Sequence, residues 1–460
     1  MKELLLISGL GLVAMLAEIA NLRKLLYPIA LLGLVALIVF VSMDWNNSEV
    51  LYGMMRMDKF ALAFTGLIAV IGFCWFVMSD KYFIDKTNLS DHYALVFFAM
   101  TGAVVMVSFT NMTMLFLGIE ILSIPLYVLA GSRKLDVTSN EASFKYFLLG
   151  AFSSGFLLLG ITLVYGSTGS FDVAKIHDFI IDNGKVSGML VTGIVFLLIA
   201  LSFKVAVVPF HFWAPDVYQG SPTLVTAFMA TIVKIAGFGA IFRLFTLCFS
   251  ELIPVYAEEI WSICAITFIV ANILAATQDN VKRMLAYSSI SHAGFMFVSL
   301  LLLTNQVNQA LYFYLAVYAG ASLMSFWVLY LLSGNEEGSG NNLHSFDGLA
   351  KRNPFLAGVM TLALLSMAGI PPLAGFFAKY LIFFNALEAG YVWLVVLAVI
   401  GSLIGLYYYF KVIIAMFFRQ SSAAPTVIDI PWAHRATLTM ICISLVLLGL
   451  FPDIVVQILN

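Results

Sequence analysis

Apolar residues run almost unbroken for about 20 positions at a time along this chain, then give way to short clusters of charged, Asn, Gly or Pro residues. A run of that length suits a helix crossing the hydrocarbon core of a bilayer. Cutting at the polar clusters predicts spans at 3–21, 25–43, 58–78, 92–109, 111–131, 141–166, 187–218, 222–249, 256–277, 283–303, 308–333, 355–387, 391–418 and 436–458. That is fourteen crossings, the tightest junction being Thr110-Asn111. The segments 187–218 and 355–387 are too long for one straight crossing, and each contains internal prolines: Pro209 in the first, Pro371 and Pro372 in the second. Proline removes a backbone donor and clashes with the preceding turn, so both helices should break there.

The expected fold is an all-α polytopic membrane protein, a single membrane domain over 1–460. The two broken spans are the seventh and twelfth. Five apart in order, they enter from opposite sides, as an inverted repeat of five helices requires. This predicts three N-terminal spans in 1–90, one five-helix repeat in 91–250 (spans four to eight), a second in 251–420 (spans nine to thirteen) and a last span in 421–460. Glu3 and Glu18 flank the first span and Arg23-Lys24 follow it, which suits a retained anchor better than a cleaved signal.

Composition agrees with this pattern. The 460 residues are 62% hydrophobic and 10% charged, with mean hydropathy +1.01, whereas a soluble domain carries about 25% charged residues. A net charge of −2 without a basic tract gives no footprint for nucleic acid. Cys74, Cys248, Cys264 and Cys442 stand singly in apolar stretches, as small buried hydrophobes do. There is no Gly-rich phosphate loop and no soluble stretch long enough for a nucleotide or cofactor domain, so the chemistry belongs inside the bilayer. Twelve Lys or Arg (23, 24, 81, 86, 133, 134, 282, 283, 351, 352, 419 and 435) follow odd-numbered spans, against five (2, 56, 59, 175 and 185) on the other side. The positive-inside rule then puts the odd loops in the cytoplasm and both termini outside. The polar loop 333–353 reads as a flexible cytoplasmic connector.

Against this background the deep charges stand out, because an ionisable residue near a span centre costs about 2.5–3.5 kcal/mol on insertion scales. Glu120 lies ten residues into the fifth span, Lys204 in the seventh, Lys234 mid-way along the eighth, His292 in the tenth and Lys379 in the twelfth. Lys204 stands five residues before Pro209, and Lys379 seven after Pro372. The structural alternative for each is an ion pair, a carbonyl cap or a satisfied core histidine. The functional alternative is a proton switch: burial disfavours an ammonium, a neighbouring carboxylate restores it, and moving that neighbour changes the proton affinity. Lys145 and Lys411 are near enough to a span end to snorkel.

These residues lie in familiar company. "FKVAVVPFHFWAPDVYQGSPT" (203–223), "GIE" in the fifth span, "EASFKYFLLGAFSSGFLLLG" in the sixth, "DNVKRMLAYSSISHAGF" around the tenth and "LLSMAGIPPLAGFFAKY" in the twelfth resemble the antiporter-like membrane subunits of respiratory complex I. "HFWAPDVYQGSPT" looks like the N-type branch of that family, where the L and M types and the multisubunit sodium/proton antiporters tend to read "LPDAH" or "LPEAH". The resemblance spans essentially the whole chain. It implies a proton-translocating membrane-arm subunit in a bacterial plasma membrane, with roles for Glu120, Lys204, Lys234 and Lys379 and less specified ones for Lys145, His211, Tyr287 and His292. It further implies no cofactor in this chain, with NADH, FMN, iron–sulfur clusters and quinone on other subunits, and partners such as subunits M, K and J in the bilayer. The competing expectations are a cation/proton antiporter subunit without redox activity and a scaffold subunit.

Overall fold

The structure, a computed structural model, describes residues 1–20, 22–80, 88–183, 187–334, 340–420, 430–456 and 458. Lys81, Lys86, Lys185 and the middle of the 333–353 loop lie outside them. Every predicted crossing falls on helix. The first six are α1 (Lys2–Leu16), α2 (Leu26–Met43), α3 (Lys59–Met78), α4 (Leu89–Ser108), α5 (Met112–Ala130) and α6 (Val137–Thr168). After a surface helix, α7 (Val173–Asn183), the seventh is divided into α8 (Gly188–Val205) and α9 (Trp213–Gly220). Then come α10 (Thr223–Cys248), α11 (Ile253–Ala276), α12 (Val281–Phe297) and α13 (Asn305–Ser333). A short α14 (Leu349–Arg352) precedes the divided twelfth crossing, α15 (Pro354–Ala368) and α16 (Ala374–Glu388); α17 (Val392–Phe418) and α18 (Trp432–Leu450) complete the set. Among the described residues twelve helices are long and apolar enough to cross a membrane; α1 and the divided α15–α16 bring the crossings to fourteen.

The polar residues between apolar runs start the helices. Asp58 accepts from the Ala61 amide, Asn111 from Thr113, Asp136 from Thr138, Ser187 from Leu190, Asn280 from Arg283 and Thr304 from Val307. Each satisfies an amide left without an intrahelical acceptor. Glycine and αL residues end them: Ala206 follows α8 with φ 57°, and Gly369 follows α15 with φ 84°. Pro209 and Pro371-Pro372 lie in the gaps that follow, where the Val208–Pro209 and Pro371–Pro372 peptides are cis.

The described chain forms two compact units, Met1–Ala206 with Ile232–Ile260, and Val207–Thr231 with Trp261–Ile458. In the first, α6 and α8 approach closely at two glycines. A β-carbon on Gly160 would lie 3.0 Å from the Gly193 carbonyl, and one on Gly193 3.1 Å from the Gly160 carbonyl, the small-residue contact that lets membrane helices touch backbone to backbone. Lys2 reaches Asp44 at 3.4 Å, the Thr110 amide the Met54 carbonyl at 2.9 Å, and the Val173 amide the Thr110 carbonyl at 3.0 Å. These loops follow even-numbered spans, so they gather at one end. Glu18, Arg23 and Ser90, from loops after the first and third spans, join at another cluster.

In the second unit the loops after odd-numbered spans join. The Val281 amide bonds the Asn341 carbonyl at 2.7 Å, the Gly348 amide the Ala415 carbonyl at 3.0 Å, and Lys411 reaches Asp279 at 2.8 Å. Residues 340–353 are therefore folded, not a loose connector: Asn342 bridges Asn280, and the Arg352 guanidinium holds the Ser345 and Asp347 carbonyls. Two further elements were not foreseen. A hairpin pairs β1 (Glu49–Leu51) with β2 (Met55–Met57), and α7 buries Val173, Ile176 and Ile180 beneath a polar face.

Candidate functional site

In the first unit the deep charges lie on α5, α8 and α10. Glu120 and Ser123 are three residues apart on α5 and so share a face. Lys204, in the last turn of α8 and 8% exposed, donates from Nζ to Ser123 Oγ at 2.6 Å. Ser123 in turn donates to the Ile119 carbonyl, and Ser154 of α6 donates to Glu120 Oε1. Among the described residues no direct ion pair joins Glu120 to Lys204; Ser123 takes the ammonium, and Glu120 is one turn away from Ser123 on α5. The expected pair is thus a set of four, with two serines that charge-counting could not single out. An i, i+3 pattern around Glu120 was the available signal.

One residue further along α8 the chain stops being helical, and the Val205 carbonyl loses its intrahelical donor. Lys234, from the middle of α10 and 2% exposed, donates to it at 2.6 Å. An ammonium suits this place because carbonyls at a helix C-terminus carry partial negative charge. Lys204 and Lys234 are thereby joined through consecutive residues of one helix end.

The second unit repeats the arrangement with different parts. Lys379 of α16, 8% exposed, donates to the Ala368 carbonyl at 3.0 Å, the last of α15, and to Ser402 Oγ of α17 at 3.4 Å. Its ammonium stands 5.1 Å from the centre of the Phe295 ring, a cation–π distance. On α12, His292 bonds the Tyr314 hydroxyl at 2.8 Å through Nδ1 and the Tyr409 hydroxyl at 3.2 Å through Nε2. Ser288 joins Tyr409, and the Tyr318 hydroxyl donates to Ser289 at 2.8 Å. Asn272 donates to Ser291 at 2.8 Å and accepts from Tyr408 at 3.1 Å. His292 is therefore one member of a buried hydroxyl network, not an isolated core histidine.

The stretch 213–222 has a different task. Arg283 clamps Asp216 at 2.7 Å and the Gln219 side chain at 2.9 Å, with its guanidinium 5.9 Å from the Tyr287 ring centre. Lys282 donates to the Ser221 carbonyl at 2.5 Å and is 1% exposed. Sequence reading counted both as loop charges, whereas the structure buries one and fastens α9 to the start of α12 with the pair. Arg243 was missed altogether. Near the end of α10 it pairs with both Asp58 oxygens at 3.0 Å and with the Phe109 carbonyl at 2.8 Å; its place inside an apolar run ("AIFRLFTL") was the available signal. His211 lies in the gap between α8 and α9, buried beside Phe212, and its Nδ1 finds no partner among the described residues. The Val208 amide there is held by Thr267 Oγ1 at 3.1 Å. Lys145 is not gathered with the buried set: it pairs with Glu141 one turn away at 2.7 Å, 38% exposed. Lys411 reaches the Gln278 carbonyl at a helix end. Outside the spans, hydrogen bonding to Lys411 lowers the pKa of Asp279 below the usual carboxylate value. Among the described residues no three His, Cys, Asp or Glu side chains gather as metal ligands, and the four cysteines are unpaired thiols.

An arrangement of buried ammonium groups, one carboxylate and hydroxyl links can hold and hand on protons. Residues 110–405 match the family described as NADH:quinone oxidoreductase/Mrp antiporter, TM. The chain is 46% identical to the NADH-quinone oxidoreductase subunit N of Cytophaga hutchinsonii, over 100% of this chain and 99% of that one. Its fold matches a chain of the respiratory complex I from Thermus thermophilus with TM-score 0.86 and 33% identity, covering 99% and 98% of the two chains. A chain of the Mrp complex from a Dietzia species matches with TM-score 0.85 and 20% identity, covering 100% and 96%, a likeness of fold alone.

Proposed function

The chain belongs to the subunit N family of NADH-quinone oxidoreductase, within the NADH:quinone oxidoreductase/Mrp antiporter family, and from that premise we propose that its buried lysines are the proton-carrying groups of a membrane-arm subunit. Glu120, Lys204 and Lys234 act in the first unit, His292 and Lys379 in the second; His211 and Tyr287 flank these groups, and Lys145 serves at the rim. Quinone reduction on other subunits supplies the driving force. NADH, FMN, iron–sulfur clusters and quinone belong to those subunits, and the neighbours include subunits M, K and J in a bacterial inner membrane. Protons are taken up from the cytoplasm and released outside, with both termini on the outer face.

One observation carries the reading. At both breaks a buried ammonium holds the last carbonyl of the first half-helix, Lys234 on Val205 and Lys379 on Ala368. An ammonium held by a helix-end carbonyl in the interior gains a hydrogen bond there, and its protonation responds to any carboxylate or ammonium that approaches. In the first unit Glu120 and Ser123 are poised for that purpose. When Lys204 leaves Ser123 for Glu120 it keeps its proton; when Glu120 is drawn away, the proton passes on.

The test uses the assembled complex in vesicles, following NADH-driven proton uptake against NADH oxidation. Lys204→Met and Glu120→Gln should uncouple uptake from oxidation while the complex stays assembled. Normal stoichiometry in assembled variants would remove the relay. A scaffold role predicts that same normal stoichiometry. An antiporter role without a redox partner predicts sodium-dependent exchange and no NADH oxidation by the purified native complex.

A further inference from the structure

We propose that Ser366 seats a water molecule that extends the His292 network to the second break, which makes Ser366 a positioning residue for Lys379; this rests on Lys379 being a proton carrier. Ser366 lies in the last turn of α15 and is 1% exposed. Its Oγ has no hydrogen-bond partner among the described residues. Helical hydroxyls commonly bond the carbonyl four residues back, as Thr361 does on the same helix to Ala357 at 2.7 Å. Ser366 forgoes that bond, and leaving a buried hydroxyl unpaired is costly.

The hydroxyl borders a small cavity that it shares with His292, Tyr314, Tyr318, Gly375 and Ala378. The space, about 10 Å³, is the least that holds one water molecule, and a buried water requires roughly two to four polar partners. The Tyr314 hydroxyl bonds His292, and the Tyr318 hydroxyl bonds Ser289 and also has Ser322 within hydrogen-bonding reach; a phenol oxygen can both donate and accept, so Tyr314 is the better placed of the two to take a water. With Ser366 Oγ it makes up the required set. Gly375 lets α16 approach α15 at this point: a β-carbon there would collide with the Ser366 carbonyl oxygen and lie 3.0 Å from Ser366 Oγ. Ala378 adjoins Lys379 in sequence, and Ala368, whose carbonyl Lys379 grips, is two residues beyond Ser366. The seat therefore stands between the tyrosine bonded to His292 and the helix end that holds the lysine.

The chemistry is a balanced proton exchange. From a protonated His292 the Tyr314 hydroxyl takes one proton as it passes its own to the water, and the water releases a different proton toward the neutral Lys379 amine, so each bond broken on a donor is matched by one formed on the next acceptor and a single positive charge moves. Ser366 keeps its own proton throughout and fixes the water's orientation.

Ser366→Ala, Ser366→Thr and Ala321→Val, the last narrowing the same cavity, are placed in the assembled complex beside Lys379→Met. Proton uptake per NADH oxidised is measured in vesicles, and ordered water is sought in density maps of the wild-type and Ser366→Ala complexes. Ser366→Ala should slow uptake about 2- to 10-fold, the loss of one hydrogen bond. Threonine should restore it, Ala321→Val should slow it, and density within hydrogen-bond distance of Ser366 Oγ should vanish with the hydroxyl. If Lys379→Met stops uptake while Ser366→Ala pumps normally and the cavity shows no water, the water seat is wrong and the relay stands. If Lys379→Met itself pumps normally, the relay reading fails first and the seat falls with it.

Discussion

The two broken crossings solve one problem with different materials. Each leaves a helix end whose last carbonyl lacks a donor, and each brings a buried ammonium to it. At the first break the residue after the carbonyl is Ala206, held at φ 57°, and the lysine comes from a separate helix, α10. At the second the residue is Gly369 at φ 84°, and the lysine comes from α16, the other half of the same crossing. The halves of the first break fall in different units of the chain, those of the second in one. The first lysine is thus independent of the helix it caps, whereas the second is tied to it by only ten intervening residues (369–378). Lys204 and Glu120 accompany the first break alone; at the second the supporting groups are Ser402 and the Phe295 face.

The largest expected effects come from deleting the two capping charges. Lys234→Met and Lys379→Met should each slow NADH-linked proton uptake on the order of 100-fold, the range of lost acid–base groups. If only one does so, the two breaks are not equivalent and the other lysine is a cap. Next come the αL residues. Gly369→Ala should destabilise the protein by about 1–2 kcal/mol in chemical denaturation, because the αL conformation penalises a β-carbon and that carbon would also lie 3.1 Å from Cδ of Lys379. Ala206→Gly should shift stability by less than about 1 kcal/mol, since relief of the same strain is offset by a more flexible unfolded chain. Equal costs at the two sites would erase the distinction between them. A smaller change is expected from Ser402→Ala, which removes the long 3.4 Å bond to Lys379: about 0.5–1 kcal/mol or less, with uptake slowed only slightly. The smallest concerns Asp279. Because its pKa is lowered by Lys411, any stabilising contribution is present above the unfolded carboxylate pKa and is lost as pH falls through the folded one. Melting curves of wild type and Asp279→Asn should therefore converge in acid and separate, slightly, near neutrality.

The crossings were legible because apolar runs of helical length leave little choice of structure in a bilayer, and because Pro209 and Pro371-Pro372 announce their own interruptions. What escaped had a common cause: side chains whose meaning depends on a neighbour distant in sequence. Val173, Ile176 and Ile180 are spaced for a half-buried helix, but the intervening Asp, Lys and His made 173–183 read as loop. Lys282 sits at a span end, where its sign bears on topology, yet its burial is set by the Ser221 carbonyl. Glu120 and Lys204 were legible as partners, but the hydroxyl between them was not, since serine is unremarkable in a membrane helix until something reaches for it. The Gly/Asn-rich loop looked solvated from composition, and the folding of its residues 340–353 rests on backbone bonds to Asp279 and Ala415 that composition cannot report.

The enclosure of α12 bears on how the protein is made. Lys282, Arg283, Tyr287, Ser288, Ser289, Ser291 and His292 crowd this one crossing, and its membrane-length window is wholly buried within the protein. A segment so rich in hydroxyls and charge gains little by entering lipid alone, and once there its polar groups would lack the partners supplied by Asn272 of α11 and by Tyr314 and Tyr318 of α13. The partners that α11 and α13 bring to α12 therefore favour insertion of the three crossings together, and a chain truncated after α12 is expected to hold that crossing in the bilayer less firmly than one that also carries α13.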